Sequence, residues 1–356
     1  MKNLFISQKE KLNISQLQGI EKTDNLLNSL IKEKKIPGLA ITVLNKGELF
    51  FQKGYGYADL ESKNIVAPKR TIFRIASVSK NIAATALGQM VKDKVIDLDA
   101  SLYKYVPYFP KKKYDFTIRQ LAGHTAGIRG YRGKEYGLNE SYSIKDSLRI
   151  FKDDELLFKP GTNYHYNSFD WVLISLAMQE ASGIPFEEYV QKKVLKPLDL
   201  QNTFPEFSGS SSKIELKLDN ELATFYSRKR TGFRKAIPVN NQYKLAGGGY
   251  LSTSDDIAKF GQAYLDNRVL EKAVISEFLT SENINGNPTY YGLGWQVSED
   301  KKGRAFYGHV GNGVGGYSNL FIYPKEQMVF SILINCTNPR IQDVLDNSID
   351  MIIGNS

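Results

Sequence analysis

Apolar residues recur at near-helical spacing across residues 16–34, at Leu17, Ile20, Leu26, Leu27, Leu30 and Ile31. Side chains three and four apart share one helix face, so the spacing predicts an amphipathic helix. Pro37-Gly38 ends it. Leu39 to Leu44 is then an apolar run of strand length. Asn45-Lys46-Gly47-Glu48 carries a turn signal, and Leu49-Phe50-Phe51 opens a second strand. Together they predict a β-hairpin.

Between about 76 and 245 the pattern is mostly helical. Helices are expected from Ala83 to Val91, from Ile118 to Leu121 and from Trp171 to Ala181, the last closed by Ser182-Gly183. Residues 101–116 and the Ser-rich stretch 206–213 read as loops. After Gly247-Gly248-Gly249 the texture changes. Ser252-Thr253-Ser254-Asp255-Asp256 supplies side-chain oxygens to cap a helix from Ile257 to Leu265. Strand-like runs follow at Tyr291–Val297, Arg304–His309, Gly316–Tyr323 and Met328–Asn335, and residues 341–353 form a last amphipathic helix. Strands therefore sit near both ends and helices fill the middle. The expected organisation is a sheet lobe from 1–75 and 246–356 with a helical lobe, 76–245, inserted into it. A site is expected in the cleft between them.

Composition narrows the chemistry. One cysteine, Cys336, excludes an internal disulfide and a cysteine-rich zinc site. The three histidines, His124, His165 and His309, do not stand at H-E-x-x-H spacing, so no metal and no cofactor is expected. The formal charge of +9 is spread along the chain, with small runs at Lys111-Lys112-Lys113 and Arg228-Lys229-Arg230. A nucleic-acid face needs a denser stripe, so nucleic acid is not an expected partner. No apolar stretch reaches the ~18 residues of a membrane span. The start, Met1 to Ile6, lacks a long apolar segment, which fits a cytoplasmic chain or one whose leader has been removed.

Three clusters carry candidate chemistry. Ser77-Val78-Ser79-Lys80 opens a helix, and three residues is nearly one turn, so Ser77 and Lys80 share a face. A serine hydroxyl needs a nearby base, and a desolvated lysine can supply one. The helix start favours the negative charge of an attacked acyl group. Pro160 to Ser168 is a polar loop whose tyrosine can relay a proton. Tyr166 fits that place by its six-residue offset from Pro160; a second register puts Tyr164 there. Gly308-His309-Val310-Gly311-Asn312-Gly313 lies between strand runs, where glycines let a substrate approach the backbone. His309 is a candidate donor to a substrate anion. His124 reads as a structural histidine bonded to backbone, His165 as pointing away from the relay, and Trp171 and Trp295 as core. No G-x-S-x-G elbow and no phosphate loop occurs.

The order of these clusters resembles the serine β-lactamase and penicillin-binding-protein superfamily, in the branch of class C β-lactamases, D-Ala-D-Ala carboxypeptidases, and related esterases and peptidases. The likeness runs from about Ile36 to Ile353. It includes Phe73-Arg74-Ile75-Ala76 before the Ser-x-x-Lys element, His124-Thr125-Ala126-Gly127, Pro160-Gly161-Thr162, Ala246 to Thr253, and His309-Val310-Gly311. The resemblance implies an α/β (α+β) fold: a five-stranded antiparallel sheet flanked by terminal helices, with an inserted helical lobe. It implies Ser77 as nucleophile, Lys80 as activating base and Tyr166 as general acid/base. His309 would replace the Lys of Lys-Thr-Gly, Gly311 and Ser168 would face substrate, and the backbone N–H groups of Ser77 and Asn312 would hold the oxyanion.

One departure matters. Tyr-x-Asn reads Tyr166-Asn167-Ser168, and the shorter Ser168 stands where the asparagine would bond the lysine. With His309 for lysine, this points from lactamases toward peptidase and esterase members. The Gly127-Ile128-Arg129 run with Tyr131 is similar to the mitochondrial serine β-lactamase-like proteins and their bacterial relatives. The expected activity is a serine peptidase, amidase or esterase on a small-molecule or peptide substrate. The alternatives are a β-lactamase, a D-Ala-D-Ala carboxypeptidase, or a penicillin-binding or scaffold protein with little turnover. Oligomers remain compatible with the sequence.

Overall fold

A computed structural model describes residues 14–206 and 221–354. The Ser-rich stretch 206–213 lies, apart from Glu206, outside the described residues. Helix α1 (Ile14–Lys32) leads into the hairpin β1 (Gly38–Asn45) and β2 (Glu48–Asp59), followed by a two-residue strand β3 (Asn64–Ile65). Later in the chain come β4 (Gln296–Glu299), β5 (Ala305–Gly313), β6 (Gly316–Tyr323) and β7 (Met328–Ile334). They form one antiparallel sheet in the order β4-β5-β6-β7-β1-β2-β3. The first hairpin joins the last strands through β1 and β7, from Leu39 opposite Ile334 to Asn45 opposite Met328.

The expected α/β architecture is present, but the sheet has seven strands where five were expected. The five long strands, β5 to β7 with β1 and β2, coincide with five of the six strand-like runs of the sequence. A register shift near Tyr57 and Asp59 lets the tail of β2 pair with β3. The run read as a strand from Tyr291 pairs regularly only from Gln296; Tyr291 itself makes an isolated bridge to Gln296. Gly292 and Gly294 interrupt it, and Gly294 has a positive φ of 83° that a strand does not use.

Alternation along β1 explains why it reads as a continuous apolar run. Leu39, Ile41 and Val43 pack with Leu27 and Leu30 of α1 and with Leu345, Ile349 and Ile352 of the C-terminal helix α6 (Gln342–Ile353). Ala40 and Leu44 face the opposite core, which holds the helices between the sheet's two halves. Those helices include α2 (Ser79–Lys92), α3 (Ile118–Ala122), α4 (Phe169–Ser182) and α5 (Ser254–Leu265). Thr253 caps α5, its hydroxyl accepting from Asp256 N at 3.2 Å. Trp171 and Trp295 are wholly buried, as expected. Small strand pairs at 204–205, 226–228 and 233–235 fall in the stretch that the pattern gave to helix and loop. They are too short to generate a periodic signal.

Among the described residues no helix is long and apolar enough to cross a membrane, and no cluster of three or more His, Cys, Asp or Glu stands ready for a metal.

Gly261 lets α5 lie close on the sheet. A Cβ there would stand 2.5 Å from Val329 Cγ1 and 3.0 Å from Leu320 Cδ1. Gly261→Val is expected to destabilise the protein by about 1–3 kcal/mol through overpacking. A urea midpoint equal to that of the native protein would contradict this account of the helix–sheet contact.

Candidate active site

Ser77 lies in a 3₁₀ turn, Ala76–Val78, that runs directly into α2. Ala76 has φ +45°, a conformation an L-residue adopts only when its surroundings enforce it. What enforces it is the end of β5, pressed onto the turn. A Cβ at Gly311 would meet Ser318 Oγ at 2.2 Å, Ile75 O at 2.5 Å and Ser77 N at 3.0 Å. Ser318 Oγ donates to Ile75 O at 2.6 Å and ties β6 to the same segment. Gly311 therefore acts by having no side chain. It brings the strand end, with Asn312, against the serine.

Lys80 stands one turn along α2 and is 0% exposed. Its Nζ donates to Gly247 O at 2.7 Å and to Ser77 Oγ at 3.2 Å. Burial pushes its pKa down to about 7; Asp170 works against that shift and Lys244 adds to it. Tyr166 Oη donates to Ser77 Oγ at 2.8 Å. Two proton-bearing groups thus converge on one serine oxygen. Tyr166 is 38% exposed over its whole surface. Burial still raises its phenol, with the Ser77 bond pulling the other way. The Lys80 ammonium lies 4.8 Å from the centre of the Tyr166 ring. Tyr164, the other register, instead packs near the His124 and Tyr291 rings.

The other expected residues fall into place differently. Asn167 is turned into the protein. Its Nδ2 donates to Ile128 O, His165 O and Asp170 Oδ2, and its Oδ1 accepts from Asp170 N. Ser168 immediately precedes α4, backs onto Gly247 and interacts with the Tyr131 phenol. Asn312 is exposed and lines the cleft with Ser77.

His309 departs from its expected role as a donor to substrate. It is 1% exposed, and both ring nitrogens are engaged within the protein. Nδ1 donates to Val310 O at 2.7 Å, so Nε2 accepts from Tyr291 Oη at 3.0 Å. Burial, then the charge of Lys80, pushes it down to about 3, so it is a neutral imidazole. It supports the wall of the site and carries no cation to a ligand.

His124 is structural but is not held by backbone. Its Nδ1 pairs with Asp170 Oδ2 at 2.7 Å, with both side chains buried. Burial drives Asp170 up and His124 down, so a single proton shared between them serves both. The His124 ring lies 4.6 Å from Tyr166 and 4.9 Å from Tyr291. His165 stays outside this pair.

Sequence reasoning missed Tyr291, Asp170 and Lys244. Tyr291 was absorbed into a strand reading. Asp170 stood just before the helix expected from Trp171 and was not singled out. Lys244 was not singled out, although it stands directly before the apolar Leu245-Ala246.

A larger cavity, about 370 Å³, lies elsewhere, with Phe306, Phe321 and Tyr323 among its lining residues and Asp346 and Asp350 beside them. It holds neither the serine nor the lysine. Converging proton donors mark the smaller cleft at Ser77 as the candidate site.

The Beta-lactamase family profile matches residues 23–349. This chain belongs to the β-lactamase family. It is 27% identical over 405 residues to the human serine beta-lactamase-like protein LACTB, mitochondrial, covering 87% of this chain and 73% of that protein. It shares its fold with the octameric penicillin-binding protein homologue from Pyrococcus abyssi (TM-score 0.79, 24% identity, 90% of this chain and 74% of the other). It also shares it with the D-amino acid amidase from Ochrobactrum anthropi SV3 (TM-score 0.80, 19% identity, 92% and 97%). The β-lactamase-type fold and the serine hydrolase superfamily are therefore shared ground.

Gly311→Ala tests how the strand seats the serine. It is expected to slow labelling of Ser77 by a fluorophosphonate at least about tenfold and to cost about 1–3 kcal/mol of stability. Native labelling and stability together would contradict the close-packing account.

Proposed function

We propose that this protein is a serine hydrolase that forms an acyl-enzyme through Ser77 and acts as a peptidase, amidase or esterase. The observation that carries the reading is the meeting of Lys80 Nζ and Tyr166 Oη on Ser77 Oγ, at 3.2 and 2.8 Å. Family membership supports it, as does the fold shared with an amidase.

In the ammonium form Lys80 donates to Ser77. Once it has lost a proton, the same nitrogen offers a lone pair to the serine hydrogen. Burial makes that loss accessible near neutral pH. Ser77 Oγ then attacks an acyl carbonyl. The oxyanion rests on the backbone N–H groups of Ser77 and Asn312, each such donor contributing about 10²–10³ in rate. Tyr166, kept protonated by its raised pKa, hands its proton to the leaving group and regains one through Lys80. Water, activated by the same pair, hydrolyses the ester. Neutral His309 and Tyr291 hold the aromatic wall behind Tyr166. Ser168 in place of asparagine leaves the substrate amide one side-chain donor short. That favours peptides, simple amides and esters over β-lactams.

Ser77→Ala is expected to abolish fluorophosphonate labelling and turnover of p-nitrophenyl esters and aminoacyl p-nitroanilides. Lys80→Met and Tyr166→Phe should each cost about 10²–10⁴ in acylation rate. Wild-type hydrolysis by Ser77→Ala would end the assignment.

The pH profile supplies an independent check. The folded-state pKa of Lys80 is lowered to about 7, so its base form grows as pH rises through that value. Lys244, Asp170, His124, His309 and Tyr166 surround it. Of these, His124, His309 and Tyr166 keep their protonation across the neutral range. Acylation should rise about tenfold per pH unit on the acid side and level off above about 7. A rate that does not change from about pH 5 to 9 would remove Lys80 as the base.

A further inference from the structure

One cation lining the Ser77 cleft enters this chemistry only at a distance, through its charge effect on Lys80. Lys244 is 8% exposed and lines the same cleft as Ser77, with Arg74, Tyr131, Tyr136 and Asn241. The only hydrogen bond of its ammonium among the described residues is a long one, 3.5 Å, to Tyr136 O. The rings of Tyr131 and Tyr243 lie 5.2 and 5.5 Å from its ammonium.

Among the described residues, the nearby carboxylates are committed elsewhere. Glu206 accepts from Arg74 Nε and Nη2 at 2.6–3.0 Å and from Asn241 Nδ2 at 2.8 Å. Glu135 is held by Arg129 at 2.6 and 3.1 Å. Among the described residues, Arg74, Lys244 and Glu206 together leave one positive charge uncompensated. Burying a cation without an anion is costly, and proteins rarely tolerate it without a function. Burial and the charge of Arg74 lower Lys244 only to about 8, so it stays mostly protonated at neutral pH.

We propose that Lys244 forms an anion subsite beside Ser77 that receives a carboxylate carried on the acyl portion of the substrate. The inference rests on the hydrolase reading above. The cavity holds about 40 Å³. At roughly 10–15 Å³ for each water-sized occupant, that suits a carboxylate and is tight for a phosphate. Tyr166 does not line this cavity, whereas Ser77, Gly248 and Asn312 do. The leaving group takes its proton from Tyr166 and so sits on the other side of the serine. The cavity is left for the acyl half. A dicarboxylic acyl group, or a peptide with an acidic side chain close to the scissile carbonyl, carries a carboxylate that matches the charge and the size.

The test compares two p-nitrophenyl esters, the anionic glutarate monoester and the neutral pentanoate, each corrected for its uncatalysed rate. The protein should prefer the anionic ester by about tenfold or more in kcat/KM, equivalent to about 1.4 kcal/mol. Lys244→Met should lower that ratio about tenfold, and Lys244→Arg should keep most of it. The ratio within one variant cancels any effect of Lys244 on Lys80, because both esters use the same base. Lys69→Met removes the same charge from an exposed position and should leave the ratio unchanged. Free glutarate should slow fluorophosphonate labelling of Ser77 in the native protein and not in Lys244→Met. If Ser77 labels normally but the native protein has no anionic preference, or Lys244→Met keeps it, the subsite is wrong and the hydrolase reading stands. If Ser77 never labels and neither ester turns over, the hydrolase reading fails and the subsite falls with it.

Discussion

The candidate active centre depends on one costly arrangement: a lysine taken wholly out of water with, among the described residues, no carboxylate in contact. Lys80 has a serine oxygen and the Gly247 carbonyl as its hydrogen-bond partners. An ammonium in such a place is poorly solvated, so its proton is easily lost. Much of the fold around it follows from that need. The Gly247-Gly248 segment must come close enough to present a carbonyl. The strand end at Gly311 must press on the serine turn. The turn accepts a strained Ala76 as the consequence.

The sequence made the local part of this centre legible. Ser77 and Lys80 are three residues apart on one helix, and helical geometry alone brings them together. The hairpin, the last strands and the principal helices also carry their own periodicity, so their existence was readable and only their ends moved. Distant partners were not readable in that way. Tyr166 is 89 residues from Ser77, and Gly247 is 167 from Lys80. Tyr166 was reached through a loop offset and a family likeness. Lys244 and Asp170 had neither, because their meaning depends on which residues the fold brings beside them.

His309 shows how a residue type can mislead. A histidine where relatives of this kind carry a lysine invites a cationic role. Here a carbonyl takes its Nδ1 proton and a tyrosine hydroxyl occupies Nε2, in a place that disfavours charge. The cation in the Ser77 cleft is instead Lys244, in a cleft that Tyr166 does not line.

Asp170 poses the converse problem. A carboxylate near Lys80 stabilises its ammonium, and direct contact would lock the proton in place. The structure keeps Asp170 close enough to be felt electrostatically yet bonded to others. His124 takes one side of Oδ2 at 2.7 Å and Asn167 Nδ2 takes another at 2.7 Å. Asn167 Oδ1 in turn fixes the Asp170 backbone N–H at the start of α4. The asparagine that follows Tyr166 thus does not reach the substrate. Its contribution is to hold a carboxylate off the lysine, while the His124 ring held by that same carboxylate packs 4.6 Å from Tyr166. Basicity of the lysine and placement of the tyrosine are then two outcomes of one buried hydrogen-bond network, so a change at Asn167 would disturb both together.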